Sequence, residues 1–380
     1  MNAVTIAFGK PLSVRRTPIP GLVVVDLPVH GDSRGWFKEN WQREKMTAAG
    51  IDLPDFGPVQ NNVSFNDQVG TTRGIHAEPW DKYVSVATGR IFGAWVDLRE
   101  GETFGAVFTA ELDASTAIFV PRGVGNSYQT LETDTAYTYL VNDHWSPDAT
   151  YTFLNLADET AAIAWPIPLD DVEISAKDKN HPRLSDVVPM PPKKILVTGA
   201  DGRLGRALRA EYGEHPWIEY ATRSDLDATS PDLSTARRWR DYATIIDAAA
   251  HGRVDAAETR QARAQAWSLN VTAAASLARV ALAHRITLVQ MSTNDLIDAT
   301  GTEAGAVGAL ATPDQTRAAA EAVVSILPRH YLVRTDGTAV DLARAIRRLL
   351  DERVAFGTYH VASGNDPVSA DEVDRQTSGT

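Results

Sequence analysis

The chain has 380 residues, 43% hydrophobic and 23% charged, a composition that fits a globular protein of two domains. Its formal net charge of −12 argues against nucleic acid or an anionic membrane as a general partner, so any phosphate-bearing ligand needs a local cationic pocket. There is no cysteine, which excludes disulfides, thiolate catalysis and cysteine-type zinc sites.

The N-terminus, MNAVTIAFGKPLSVRR, lacks the unbroken apolar region of a signal peptide, and no later run is long enough to span a bilayer. A cytoplasmic location is expected. Short β-type runs follow (GLVVVDLP, KYVSVATG, RIFGAWVDL, VFTAEL, AIFVPRG, TAYTYLVND), separated by Gly, Pro, Asn and Asp turns. This spacing predicts an all-β sandwich or barrel over residues 1–182. The Pro-rich stretch HPRLSDVVPMPPKK has no periodicity, and residues 183–193 within it read as a linker. KKILVTGADGRLGRALRAEY then opens a strand, glycine loop and helix, and TIIDAAA and ITLVQMST read as buried parallel strands between Ala/Arg-rich helices. The expected fold class is multidomain, with an α/β Rossmann-like domain over 194–380.

In the first half the informative segments are GDSRGWFKENW (31–41), PVQNNVSF (58–65), TRGIHAEPWDKYVSV (71–85), FVPRGVGNSYQ (119–129), YLVNDHWSP (139–147) and ISAKD (174–178). Arg34, Arg73, Lys82 and Lys177 come from four separate segments. Each alone also reads as a solvated surface charge, yet Arg suits bidentate phosphate binding. His76 stands in a strand-like context, where a lone His is usually a satisfied core or rim residue. Asp178 is a candidate to orient one of its ring nitrogens and raise the basicity of the other. With Tyr139 as an acid on the opposite side and Lys82 as a cation for an enolate oxygen, the parts for inversion next to a ketone are present.

Taken in order over about 170 residues, the blocks Asp32-x-Arg34-Gly-x-Phe, Gln60-x-Asn62, Arg73-Gly74-x-His76 and Ser175-Ala-Lys177-Asp178 resemble the dTDP-4-dehydrorhamnose 3,5-epimerase family of dTDP-rhamnose biosynthesis. The resemblance implies a metal-free cupin jelly roll, usually dimeric. It implies His76 as proton acceptor, Asp178 as its partner and Tyr139 as donor, and it places Trp145 where the family stacks an aromatic ring on thymine. Arg34, Glu39, Gln60, Asn62, Arg73, Lys82 and Lys177 fall at ligand-contacting positions. Asn126 stands where the family usually has His, and can still donate a hydrogen bond but carries no charge. Thr150 matches a commonly acidic position, and Ala77-Glu78 replaces the usual Phe-Gln. These departures leave the sugar, and single versus double epimerisation, open. Metal-binding cupins use a His-x-His pair; here the second position is Glu78 with no matching downstream His, so no metal is expected.

In the second half, Gly199-x-x-Gly202-x-x-Gly205 after a strand is a credible dinucleotide loop, or a tight turn packing helix on strand. Thr222-Arg223 replaces the expected acidic residue after the next strand, which favours NADP over NAD. DAAAHGRVDAAE (247–258), LNVTAAASLARVA (269–281) and VQMSTND (289–295) resemble dTDP-4-dehydrorhamnose reductase. That resemblance implies Asn270 and Thr293 near a nicotinamide. It breaks at the Tyr and following Lys of such reductases, where this chain has Pro313 and Arg317, and no lysine follows Lys194. The stretch beyond Arg334 also reads as too short for a sugar-binding lobe, so a truncated, catalytically impaired domain is expected. The first half is therefore expected to be an isomerase acting without cofactor on a dTDP-4-keto-6-deoxy sugar, as a homodimer, with a separate reductase as a possible partner. The alternatives are a bifunctional epimerase and NADPH-dependent reductase, or a nucleotide-sugar-binding scaffold.

Overall fold

The computed structural model describes residues 8–48, 56–249, 259–293, 312–335, 337–361 and 367–369. They fall into two compact units, Met1–Pro192 and Lys193–Thr380.

The first unit comprises β1 (Ser13–Arg16), β2 (Val23–Asp26), β3 (Val29–Asp32), β4 (Gly35–Lys38), α1 (Arg43–Ala48), β5 (Gln60–Asn66), β6 (Thr72–Ala77), β7 (Lys82–Thr88), β8 (Ile91–Asp97), β9 (Val107–Leu112), β10 (Thr116–Val120), β11 (Val124–Thr130), β12 (Thr135–Val141), β13 (Thr152–Phe153) and α2 (Ala176–Lys179). A six-stranded sheet runs β1-β2-β10-β7-β12-β5 and a five-stranded sheet β13-β6-β11-β8-β9, with β3 and β4 forming a separate hairpin. Val84 and Val86 of β7, Trp95 of β8, Ile118 of β10 and Tyr128 of β11 meet in one core drawn from both sheets. Both outer faces are covered as well. Met46 of α1 and Phe56 pack on Tyr83 and Phe119, while Leu154, Leu156, Leu184, Val187 and Met190 pack on Ile75, Ala77 and Val96. Coverage of both faces explains why β10 reads as an unbroken apolar run and not as an alternation.

The segment expected to be a linker packs within this unit up to Pro192. Leu184, Val187 and Met190 are buried, and Met190 exchanges backbone hydrogen bonds with Leu98 (2.8 Å) and Glu100 (3.0 Å). Prolines remove donors and fix φ, so the segment follows the sheet irregularly and shows no period in sequence.

The second unit comprises β14 (Lys194–Thr198), α3 (Arg203–Tyr212), β15 (Ile218–Ala221), β16 (Tyr242–Asp247), α4 (Arg260–Trp267), α5 (Ala273–His284), β17 (Thr287–Thr293), α6 (Thr312–Ser325), β18 (His330–Thr335), α7 (Ala339–Asp351), β19 (Gly357–Val361) and β20 (Val368–Ser369). The sheet order is β15-β14-β16-β17-β18-β19-β20, parallel except for the β19–β20 pair. Leu277 of α5 and Val324 of α6 pack on one face, Leu208 of α3 and Ile346 of α7 on the other. The chain leaves β14 toward β15 and then crosses to β16 on its other side, which puts a topological switch point at the carboxyl end of β14. No helix among the described residues is long and apolar enough to cross a membrane.

Candidate functional site

The local sequence explains how Asp178 is presented. Ser175 caps α2 by accepting the Asp178 N–H at 3.1 Å, so a serine three residues ahead of the carboxylate sets its orientation. Asp178 is buried, and its Oδ1 lies 2.9 Å from His76 Nε2, across 102 residues of sequence. Its Oδ2 accepts the Gly74 N–H at 3.3 Å. Burial alone would raise the carboxyl, but the His76 hydrogen bond and charge, with the Gly74 N–H, hold it below the usual carboxylate range. The pair is therefore an imidazole oriented by an anionic partner, with its other ring nitrogen left for a reacting proton.

Gly74 makes this geometry possible. Its φ is +124°, and a Cβ there would lie 2.4 Å from the Ser127 Cβ and 2.8 Å from the Asn126 carbonyl oxygen. Arg73 and His76 are three residues apart, so strict alternation would send them to opposite faces. The β6–β11 register shifts between Asn126 and Tyr128, pairing Asn126 with His76 and Tyr128 with Arg73. The shift brings both side chains to the face opposite Ile75 and Ala77. Gly74→Ala is expected to cost at least about 2 kcal/mol from left-handed backbone strain and overpacking. Urea unfolding of the variant measures this, and an unchanged midpoint would contradict it.

Lys82 and Tyr139 belong to the six-stranded sheet. Lys82 is only 4% exposed, ion-paired with Glu78, and its Nζ lies 5.4 Å from the centre of the Tyr139 ring. Burial lowers the ammonium to about 7; the Glu78 carboxylate opposes that by favouring the charged form. Burial and the neighbouring Tyr128 raise the Tyr139 hydroxyl, and the Arg73 guanidinium pulls it back. Along β5 the even-numbered residues turn inward: Gln60 donates to Asn62 (3.0 Å), and Asn66 accepts from Arg73 Nε (3.2 Å). Trp145 is exposed, with its backbone N–H bound to Gln60 Oε1 at 3.1 Å. Lys177 places its Nζ 5.1 Å from the centre of the Phe153 ring.

Three of the expected ligand contacts are engaged elsewhere in the single chain. Arg34 sits at the exposed turn of the β3–β4 hairpin, paired with Asp32. Glu39 pairs with Lys45 and lines a cavity of about 270 Å³ with Leu12, Phe37 and Met46. Asn126 is buried, with its Oδ1 accepting from Trp95 Nε1 (2.9 Å) and its Nδ2 3.0 Å from the Tyr137 hydroxyl oxygen. Its amide ties β11 to β8 and β12.

Sequence reasoning passed over His181 and its neighbours. His181 is buried, stacks on Phe153 (4.6 Å between ring centres), packs edge-on to His76 (5.3 Å) and lies 3.8 Å from Asp178 Oδ1. Burial and the nearby His76 lower its pKa. Tyr151 stacks on Phe153 in turn. The alternation Tyr151-x-Phe153 was the available signal for this aromatic wall.

In the second unit two of the three loop glycines, Gly199 and Gly205, are sterically required. A Cβ on Gly199 (φ +61°) would lie 2.4 Å from the Ala249 Cα, and one on Gly205 would lie 2.4 Å from the Gly199 carbonyl oxygen. Gly202 caps α3 with no side-chain cap, leaving first-turn N–H groups available to an anion at the switch point. Arg223 is exposed just after β15, 3.5 Å from Asp227. Asn270 is buried in a π-helical turn, donating to Thr316 Oγ1 on α6 at 2.8 Å. Thr293 ends β17; Pro313 and Arg317 fall within α6, four residues apart. Residues 250–258 and 294–311, which carry part of the reductase resemblance, lie outside the described residues.

The model of the family dTDP-4-dehydrorhamnose 3,5-epimerase matches residues 16–186. A protein of Streptococcus pyogenes serotype M6 named Protein RmlC homolog is 54% identical over 194 residues, covering 50% of this chain and 98% of that protein. The chain belongs to the dTDP-4-dehydrorhamnose 3,5-epimerase family. Another relative, the dTDP-4-dehydrorhamnose 3,5-epimerase of Sinorhizobium fredii, is 34% identical over 164 residues, covering 41% of this chain and 82% of that protein. A solved structure of RmlC from Streptococcus suis in complex with dTDP-D-xylose is 52% identical, with 48% of this chain and 97% of that chain covered and a TM-score of 0.46. Beyond the epimerase-family region, residues 193–339 match the model described as RmlD substrate binding domain.

Proposed function

We propose that the first unit, a cupin-type barrel, inverts C3, C5 or both of a dTDP-4-keto-6-deoxyhexose and needs no cofactor. The observation that carries this reading is the His76–Asp178 pair, with His76 on the five-stranded sheet and Asp178 on α2, together with Lys82 and Tyr139 side by side on the six-stranded sheet. His76, bound to Asp178 through Nε2, takes the proton next to the C4 ketone with Nδ1 and becomes an imidazolium stabilised by Asp178. The Lys82 ammonium stabilises the enolate oxygen. Tyr139 then delivers its proton to the opposite face of the same carbon, and solvent exchange restores both groups. Arg73 and Lys177 supply charge for the diphosphate, and the exposed face of Trp145 is available to the thymine, a contact of about 1–3 kcal/mol. Proton NMR in D2O with dTDP-4-keto-6-deoxyglucose and no added cofactor tests the reading; absence of exchange at both C3 and C5 would refute it.

Tyr139→Phe separates the two faces. Deuterium wash-in should continue while completed inversion falls about tenfold or more, because abstraction needs only His76. Equal loss of both signals would assign Tyr139 to packing.

A homodimer through this unit is part of the same reading. Among the described residues the outer edge of β5 has no partner strand; Val63 and Phe65 of β5, Val59 just before it, and Trp36 and Phe37 of the β3–β4 hairpin are exposed. An open apolar strand edge favours pairing with a second chain, and a partner's hairpin is a route by which Arg34 reaches the sugar nucleotide. The parent should be dimeric by light scattering, and V63D/F65K should be monomeric with weakened activity. A monomeric parent would remove the dimer.

The second unit is proposed to be Rossmann-like and to hold NADP. Its glycine cradle fits a pyrophosphate, with Arg223 toward a 2′-phosphate. When bound, such a cofactor supplies hydride; the chain's own residues there bind and orient it.

A further inference from the structure

We propose that His76, Asp178 and His181 form a binding site for a divalent transition-metal ion, and that Zn2+ in this site switches the His76 base off. One ligand atom from each of His76, Asp178 and His181 lies within 4.8 Å of the other two. The two legs to Asp178 Oδ1 are 2.9 Å and 3.8 Å. Ligands around a tetrahedral zinc with bonds near 2.0–2.1 Å are roughly 3.3 Å apart, so one of these legs must open and the other close by about half an ångström, and the two imidazole nitrogens must approach to the same separation. Small χ rotations supply that.

A second observation is independent of the spacing. The His181 side chain is 5% exposed, and among the described residues neither ring nitrogen has a partner in full hydrogen-bond geometry, the Leu154 backbone offering at most a weak one. Buried polar atoms rarely stay unpaired, because each forfeits its hydration. Stacking on Phe153 fixes the ring so that Nε2 faces Asp178. Asp178 Oδ2 is already held by the Gly74 N–H, an outer contact of the kind that orients a ligating carboxylate. His76 is about one-third exposed, which leaves room for water or another ligand at a fourth position. Two imidazoles and one carboxylate suit Zn2+, Co2+, Ni2+ or Cu2+ and not Mg2+ or Ca2+. The Lys177 ammonium over Phe153 repels a dication and keeps the site moderate in affinity.

The consequence for the base follows from proton bookkeeping. The metal takes the Nε2 lone pair and replaces the proton shared with Asp178. That proton moves to Nδ1, which then has no lone pair for the sugar. Metal binding does not rest on the proposed reaction, whereas the inhibition does.

The test uses the full-length, tag-free chain after chelator treatment. Calorimetry with Zn2+ alone should give one ion per chain, and His181→Gln should weaken it at least about tenfold. In the parent, histidine ring NMR signals of His76 and His181 should shift together, a readout that needs no variant to fold. Zn2+ should also stop deuterium wash-in, and EDTA should restore it. Equal Zn2+ affinity in parent and His181→Gln, or unmoved ring signals at saturation, would overturn the site. Wash-in that persists at saturating Zn2+ would overturn the switch. A chain that binds Zn2+ yet shows no wash-in without metal would instead fail the epimerase reading.

Discussion

His76→Ala is expected to lower solvent-deuterium exchange into dTDP-4-keto-6-deoxyglucose at least about a hundredfold, the usual scale for losing a general base. The ring is half-buried, and its Nε2 is committed to Asp178 at 2.9 Å, so Nδ1 is the atom left to accept a carbon-bound proton. Alanine removes the acceptor outright. Asp178→Asn should lose less. The amide can still occupy the site between His76 and Gly74, but it no longer stabilises an imidazolium. It also leaves the tautomer of His76 less well defined. The order of the two losses is therefore diagnostic: His76→Ala the larger, Asp178→Asn the smaller, both measured by proton NMR in D2O. Exchange that survives in His76→Ala at the parent rate would assign the base to another group. Circular dichroism of each variant separates lost chemistry from lost structure.

The second unit is expected to leave the epimerised sugar unreduced even with NADPH present. Hydride addition to a ketone produces an alkoxide, and the usual reductase solves this with a Tyr whose pKa a nearby Lys lowers. Here the aligned positions are Pro313 and Arg317, both within α6. Proline has no proton to give. Arginine keeps its charge at every physiological pH and cannot titrate in the way lysine does. The nearest later tyrosines are engaged in structure: the Tyr331 hydroxyl donates to the Val354 carbonyl at 2.6 Å, and the Tyr359 hydroxyl to the Ala355 carbonyl at 2.6 Å. The NADP binding proposed for this unit is independent of all this, because the cradle at Gly199, Gly202 and Gly205 lies at the end of β14. Absorbance at the nicotinamide band, followed beside a genuine reductase, is the measurement. Cofactor consumption at a normal enzymatic rate, with dTDP-rhamnose as product, would prove the expectation wrong and direct attention to Asp295. Binding without turnover supports a sensing or assembly role.

Local chemistry carried much of this protein in its sequence. The turn-punctuated β runs announced an all-β first half, because strand alternation and turn residues act over a few positions. The glycine spacing of the β14–α3 loop was readable for a similar reason: Gly199 and Gly205 stand where a Cβ would strike nearby backbone. What the sequence could not express were meetings between distant segments. His181 lies in a Pro-rich stretch without period, and only the covering of β6 by residues 154–190 brings it against His76 and Asp178. Arg73 and His76 share a face because the register of β6 against β11 slips, an event set by the partner strand and invisible to a period of two. Arg34 and Glu39 carry their motif faithfully, yet in one chain they bind Asp32 and Lys45. Motifs are held by short-range sterics and survive in the sequence; which motifs meet is decided by packing, where many weak contacts between remote residues choose one arrangement.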